Sequence, residues 1–177
     1  MTVRRLLWVF HWLVVGGEET EVRLLARHLR PQWSIDVVVC HHREAMPGQS
    51  HEQLRDLGVP IDTTAYRLSD DETVEHLARL LPAYDVVVAS QAVPFVHSAL
   101  ERLADRPPLV EHGGLVSEAL TGRKDLTDRY VGVCAAIHDA AATRMACRPQ
   151  DALEIPSMST SPSSTPAGAP RCGPSGA

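Results

Sequence analysis

Two glycines at the end of an apolar run are the first residues in this chain that could bind a ligand. Gly16 and Gly17 follow the run at 6–15, and an amphipathic segment with Glu19 near its start comes next. Glycines let a backbone approach a ligand closely, and the first turn of a helix directs free N–H groups into the same space. The alternative is a plain tight turn whose acidic residues stabilise the start of the helix.

A second candidate is His112, which ends another predicted strand in the sequence VEHGG. An imidazole at that place could hydrogen-bond a hydroxyl-rich substrate or act as a general base. The alternative is a histidine that bonds a nearby backbone carbonyl. His41, His42 and His51 are expected to be solvated loop residues, because no further residue completes a metal-ligand set. We therefore expect no metal site.

Several common ligand sites do not fit the sequence. Dinucleotide binding needs G-x-G-x-x-G after the first strand and an acidic residue at the end of the second. The turn here reads GGEE, and the second apolar run ends in CHHR, so NAD and FAD are not expected as cofactors. The chain also contains no P-loop and no G-x-S-x-G elbow of a serine hydrolase.

The composition is typical of one globular domain with a sizeable core. The 177 residues are 44% hydrophobic and 22% charged, with a formal net charge of −5. This charge and the scattered basic residues disfavour nucleic acid as a partner. Cys40 and Cys134 end apolar runs, where a thiol behaves as a small buried hydrophobe, and no C-x2-C pair occurs. A reducing, cytoplasmic setting fits best.

The N-terminal segment is similar in outline to a secretory signal peptide. Arg4 and Arg5 precede an apolar stretch, but His11 interrupts it and no A-x-A-like cleavage site follows. The stretch is also too short to span a bilayer. A buried first strand is the favoured interpretation, and peripheral contact with the inner face of the membrane stays open.

Short apolar runs alternate with segments of helical periodicity along most of the chain. Strands are predicted at 6–15, 35–40, 59–64, 85–90, 107–114, 130–135 and 151–157, and helices at 19–29, 50–57, 71–81, 94–104 and 137–146. Gly58 is predicted to end the second helix and Asp70 to cap the third. The alternation predicts a Rossmann-like, doubly wound parallel sheet with helices on both faces. In such a sheet the ends of the strands that carry Gly16, Gly17 and His112 form the ligand edge.

The amino-acid composition of the chain changes near its C-terminus. Residues 159–177 are rich in Ser, Pro, Gly, Ala and Thr and have no apolar periodicity. Such a segment cannot bury enough surface to offset its ordering entropy, so it is predicted to be disordered. The Rossmann-like domain is therefore placed at 1–158.

The ordered set of motifs resembles the N-terminal domain of family 4 glycosyltransferases, retaining enzymes of the GT-B fold. GGEETEVRLLARHL is similar to the family's G-G-x-E turn and first helix. Further similar segments follow in the expected order between residues 6 and 158, namely LRDLGVPIDTT, YDVVVASQ, PPLVEHGG, YVGVCAAIHDAAATRM and ALEIPSM. The chain departs from the pattern at Ser157-Met158, where Asn-Gly is usual, and at Cys134-Ala135, where Ser is usual.

The resemblance implies the transfer of a sugar from a nucleotide-sugar to an acceptor. The nucleotide-sugar would be a co-substrate, with no bound cofactor and no obligatory metal. Gly16 and Gly17 would lie against the interdomain cleft, with their amides facing the donor phosphates or the acceptor. Glu19 would stabilise the turn or reach the acceptor. His112 would be the catalytic-site residue that orients an acceptor hydroxyl or the transferring sugar.

The family's second domain, which binds the nucleotide-sugar, has no counterpart after Met158, where the sequence looks frame-shifted or replaced. The resemblance therefore implies a truncated enzyme with little or no transferase activity alone. Self-association through the uncovered interdomain face is a further expectation. The alternative function is a non-catalytic Rossmann-like binding or interaction domain. A second alternative is a small-ligand enzyme of another doubly wound family, since fold alone does not determine function.

Overall fold

Seven parallel strands form the sheet that organises residues 2–42, 47–91 and 93–156, which the computed structural model describes. The strands are β1 (Arg4–Phe10), β2 (Trp33–Val39), β3 (Ile61–Asp62), β4 (Val86–Ser90), β5 (Leu109–Gly113), β6 (Arg129–Gly132) and β7 (Ala152–Glu154). The helices are α1 (Gly17–His28), α2 (Gln49–Asp56), α3 (Asp70–Leu80), α4 (Pro94–Leu100), α5 (Val116–Leu120) and α6 (Ala135–Arg144). The spatial order of the strands is β3-β2-β1-β4-β5-β6-β7. This is the predicted doubly wound α/β fold.

The central strand β1 shows why the strands are continuously apolar. Leu7 and Val9 belong to a buried cluster that includes side chains of α3 and α4. Leu6, Trp8 and Phe10 belong to a second cluster, which includes side chains of α1 and α2. Because successive side chains point to opposite faces and helices cover both faces, every position from Leu6 to Phe10 is buried.

The point where the chain reverses its direction of winding lies between β1 and β4. From β1 the chain proceeds outward to β3, then returns to β4 on the other side of β1 and continues to β7. The strand register places Phe10, Ser90 and His112 side by side at the carboxyl ends of β1, β4 and β5. In sheets of this type ligands bind in the crevice at that switch point.

The predicted first strand was too long at its carboxyl end. β1 ends at Phe10, and residues 11–15 leave the sheet as a loop. Leu13 is fully buried in the cluster on the α1 side, so the apolar character of this segment reflects burial without strand pairing. The helix α5 was not predicted, because five residues are too few to show a helical period.

The helix ends follow the expected chemistry with one correction. Gly58 has a φ of +66° just beyond α2, which confirms it as the residue that ends that helix. The N-cap of α3 is Ser69 and not Asp70. The Ser69 hydroxyl accepts from the Glu72 N–H, and the Glu72 carboxylate accepts from the Ser69 N–H at 2.8 Å, which forms a capping box.

The remaining expectations for this part of the chain have mixed outcomes. Cys40 is buried, whereas Cys134 is exposed, so the prediction of burial was wrong for Cys134. Cys134 directly precedes α6 as its N-cap, at the end of the sheet where loops meet solvent. No helix within the described residues is long and apolar enough to cross a membrane. The segment 159–177, predicted to be disordered, lies outside the described residues.

Replacing Ser69 with alanine tests the assignment of the α3 cap. Loss of an N-cap hydroxyl is expected to lower the free energy of unfolding by about 1 kcal/mol. Asp70→Ala is the comparison, because it leaves the capping box in place. Urea unfolding of both variants checks the assignment, and a larger loss for Asp70→Ala than for Ser69→Ala would contradict it.

Candidate functional site

An open pocket of about 640 Å³ lies at the switch point of the sheet. It is formed by the loop after β1, the start of α1, the residue that follows β4, and the turn between β5 and α5. The four residues predicted as site residues, Gly16, Gly17, Glu19 and His112, all line this pocket. The structure therefore brings together the two sequence segments that were singled out.

His112 lies between two carboxylates of α1. Its side chain is 8% exposed, and its Nε2 is 2.6 Å from Oε2 of the buried Glu21. Its Nδ1 is 3.8 Å from Oε1 of Glu18, which is ion-pair distance but too long for a hydrogen bond. Glu18 and Glu21 are three residues apart, so both project from one face of α1 towards β5.

These carboxylates determine the protonation state of His112. Burial by itself disfavours the charged imidazole, but interactions with Glu18 and Glu21 outweigh burial and raise the pKa of His112 to about 9. The ring is therefore an imidazolium at neutral pH, and both of its nitrogens are hydrogen-bond donors. A protonated imidazole cannot take up a proton, so the arrangement does not support the general-base alternative. Its partner is a carboxylate and not a backbone carbonyl.

Two buried atoms of this cluster have no hydrogen-bond partner among the described residues. They are Nδ1 of His112 and Oε2 of Glu18. Buried polar atoms are nearly always hydrogen-bonded to protein or water, so an unpartnered pair in a pocket indicates a place where another group binds. One atom is a donor and the other is an acceptor.

Glu19 faces the loop that follows β1. Its side chain is 3% exposed, and Oε1 accepts from the Val14 N–H at 3.1 Å and from Nε2 of Gln91 at 3.5 Å. Burial raises the pKa of Glu19, and the backbone hydrogen bonds only partly oppose this. A Cβ on Gly16 would lie 2.7 Å from Oε2 of Glu19, so Gly16 leaves room for this carboxylate. A Cβ on Gly17 would meet no atom within 4 Å.

Gln91 is a site residue that sequence reasoning missed. Its Oε1 accepts from the Trp12 N–H at 3.2 Å, so its side chain joins the loop after β1 to the end of β4. Gln91 has a φ of +66°, which is uncommon for a residue other than glycine. Strained backbone of this kind occurs preferentially at ligand sites. A polar residue directly after a buried strand was the one available signal.

Glu118 of α5 brings another carboxylate to the pocket. Its Oε2 accepts from the N–H groups of Gly114 and Leu115, at 3.0 and 3.1 Å. Burial and then the charge of Glu18 raise the pKa of Glu118. Gly114 lies between the two carboxylates, since a Cβ there would be 3.3 Å from Oε1 of Glu18. Four glutamates thus line the pocket, and the described lining contains no Lys or Arg.

A buried polar network supports β5 from the opposite face. Glu111 accepts from Lys124 and Thr127, and its Oε1 is 3.1 Å from Nε2 of His97. Burial opposes ionisation of Glu111, but these partners outweigh it and lower its pKa. The Lys124 ammonium lies over the Tyr130 ring, 4.8 Å from the ring centroid. The network fixes the strand that carries His112, and Lys124 also donates to the backbone carbonyl of Glu118 in α5 at 3.3 Å.

Of the three histidines predicted to be solvated loop residues, His42 is exposed and His41 is half-buried. His51 is a half-buried residue of α2, so the prediction was wrong for His51. The ring centroids of His11 and His41 are 4.4 Å apart, and Nε2 of His51 is 3.2 Å from the Tyr66 hydroxyl oxygen. His42 lies on the surface with its ring 5.1 Å from that of Tyr66. Within residues 2–42, 47–91 and 93–156, no group of three or more His, Cys, Asp or Glu side chains is arranged to hold a metal ion.

Several solved structures have a fold similar to that of this chain. The lipopolysaccharide outer core galactosyltransferase WaaB, in its apo form, has a TM-score of 0.60 at 11% identity, over 83% of this chain and 44% of its own. A UDP-N-acetylglucosamine 2-epimerase has a TM-score of 0.56 at 14% identity, over 81% of this chain and 45% of its own. The chain shares its Rossmann-like α/β fold with part of each of these structures.

A third neighbour is MnaA of S. aureus, solved with UDP. Its TM-score is 0.53 at 11% identity, over 80% of this chain and 41% of its own. The chain therefore spans less than half the length of each of these neighbours, and identities this low establish the fold and not the activity. No protein-family model matches the chain, and no curated protein matches its sequence.

Replacing Glu21 with glutamine tests the charge on His112. Because the pKa of His112 rises from about 6.5 to about 9 on folding, its protonation stabilises the folded chain fully below pH 6.5, and this contribution is lost as the pH rises to 9. We expect Glu21→Gln to have a lower free energy of unfolding than the parent at pH 6.5. Between pH 6.5 and pH 9, the free energy of unfolding should fall less in this variant than in the parent.

Urea unfolding at a series of pH values measures this difference. Glu75→Gln is the matched control, since Glu75 is an exposed residue of α3, which contributes nothing to the pocket. A constant difference between Glu21→Gln and the parent at all pH values would contradict a charged His112.

Proposed function

We propose that this domain is the acceptor-side half of a retaining GT-B glycosyltransferase, which moves a sugar from a nucleotide-sugar to an acceptor. The fold of the structural neighbours and the position of the pocket support this assignment. The pocket lies at the switch point where doubly wound sheets bind their ligands. The nucleotide-sugar would be held mainly by a second domain, as in the family that the sequence resembles.

The unpartnered pair of His112 and Glu18 is the observation that carries the proposal. A hydroxyl group can accept from Nδ1 of His112 and donate to Oε2 of Glu18, so one hydroxyl satisfies both atoms. The diphosphate of a nucleotide-sugar is fully ionised at neutral pH and can only accept here, and Glu18 would repel it. An apolar group would leave both atoms unsatisfied, at the cost of their desolvation. Sugars are the ligands that present many hydroxyl groups.

The charge of the pocket favours the acceptor over the donor phosphates as the ligand of the Gly16-Gly17 turn. Glu18 and Glu19 stand in the first turn of α1, where they interact favourably with the partial positive charge of the helix terminus. This leaves little attraction for a diphosphate. His112 orients the acceptor hydroxyl by donating to its oxygen, and Glu19 and Gln91 hold the loop that borders the acceptor.

A non-catalytic binding or interaction domain is the second candidate function. Leu115, Val116 and Leu120 are large apolar residues that are 42–60% exposed on and beside α5, next to the pocket. Apolar groups of this size in one region are typical of surfaces that contact another protein or domain. The same pocket would then bind a ligand without sugar transfer.

Binding of neutral sugars to the purified chain tests the first proposal. We expect glucose or its methyl glycoside to shift the NMR signals of His112 and Gly114 with millimolar affinity, and His112→Gln to weaken this binding about tenfold. Glu75→Gln serves as the control and should bind like the parent. Signal changes at this pocket with inorganic phosphate but not with sugars would contradict the proposal.

A further inference from the structure

The four glutamates of the pocket differ in how well hydrogen-bond donors and positive charges offset their negative charge. Glu21 pairs with the His112 imidazolium, and Glu19 accepts from a backbone N–H and the Gln91 amide. Glu118 accepts from two backbone N–H groups. Among the described residues, the charged partner of Glu18 is His112 at 3.8 Å, which already pairs with Glu21, and Oε2 of Glu18 has no hydrogen-bond partner there. The pocket therefore carries excess negative charge, and this excess is centred on Glu18.

The excess charge lies on one side of the pocket, against Gly114. Glu18 and Glu118 both border this residue, and the charge of Glu18 contributes to the raised pKa of Glu118. Beneath the turn, the buried Tyr130 hydroxyl also has no hydrogen-bond partner in the described part of the chain. Burial is the main cause of its raised pKa, and the charges of Glu111, Glu118 and Glu18 add to it in that order. A neutral hydroxyl in the pocket would leave this negative potential in place.

The unpartnered nitrogen of His112 is a separate observation that points to a ligand. The side chain is more than nine-tenths buried and lines the pocket, and Nδ1 has no hydrogen-bond acceptor among the described residues. An ammonium group cannot serve this nitrogen, because both are donors only. A ligand that brings an ammonium group to Glu18 must therefore also bring an oxygen acceptor to His112.

We propose that the acceptor carries a primary ammonium group beside a hydroxyl group, as in an amino sugar or an aminocyclitol. The ammonium donates to Oε2 of Glu18 and is attracted by Glu118, while the neighbouring hydroxyl oxygen accepts from Nδ1 of His112. The 3.8 Å between Nδ1 and the Glu18 carboxylate suits adjacent substituents of one ring. This inference rests on the proposed function and names the class of acceptor for the same pocket.

Titration calorimetry of the full chain with three matched sugars tests the inference. The probes are glucosamine, glucose and N-acetylglucosamine, at a pH of about 6.5, where an amine of this kind is protonated. We expect glucosamine to bind about tenfold more tightly than glucose, and N-acetylglucosamine to bind no more tightly than glucose.

Two variants assign the preference to the pocket. Glu18→Gln retains the shape of the side chain and should abolish the tenfold preference, and Glu118→Gln should reduce it. Glu75→Gln on α3 removes the same charge away from the pocket and should leave the preference unchanged. Circular dichroism of each variant verifies the fold, and Glu118→Gln provides an independent reading if Glu18→Gln does not fold.

The possible outcomes distinguish a failure of this inference alone from a failure of the proposed function. Equal binding of glucose and glucosamine would overturn the amine inference and leave the sugar-binding pocket intact. A preference that persists in Glu18→Gln would also overturn it, because the ammonium would then bind elsewhere. Binding of none of the three sugars would overturn both proposals.

Discussion

The buried pairing of His112 with Glu21 is the interaction on which the pocket depends. It joins the carboxyl end of β5 to α1 across the switch point of the sheet, although the two elements are at least 81 residues apart in sequence. Because Glu21 occupies Nε2, the other ring nitrogen is left for a ligand. Because Glu18 adds a second negative charge, that nitrogen carries a proton at neutral pH. In the proposed function, the residues of α1 therefore determine which ligand groups fit the pocket as much as His112 does.

The elements around this pairing restrict its geometry from both faces of β5. The network at Glu111 anchors the strand from the α4 side, and a Cβ on Gly113 would overlap the Tyr130 hydroxyl. On the other face, Gln91 and Glu19 hold the loop after β1. Pre-organisation of this kind lowers the cost of binding, since fewer side chains must be ordered when the ligand arrives. The pocket is thus a fixed acidic surface with one cationic donor.

The fold was predictable from the sequence, because strands covered on both faces must be continuously apolar and the intervening helices show their own period. The same logic failed after Phe10, where Leu13 is buried without pairing in the sheet. His112 was found from its place after a predicted strand. Its partnership with Glu21 was not predictable, since it depends on the rotation of α1 relative to β5. The left-handed conformation of Gln91 likewise has no signature in the sequence.

The protonation state of His112 is the most direct test of this account. An NMR titration that follows the ring protons or nitrogens of His112 in the full chain measures its pKa. The account predicts a midpoint near pH 9, with the imidazolium present at neutral pH. A midpoint at or below the ordinary value of about 6.5 would contradict it, because the ring would then be neutral and would no longer offer both a salt bridge to Glu21 and a donor to the ligand.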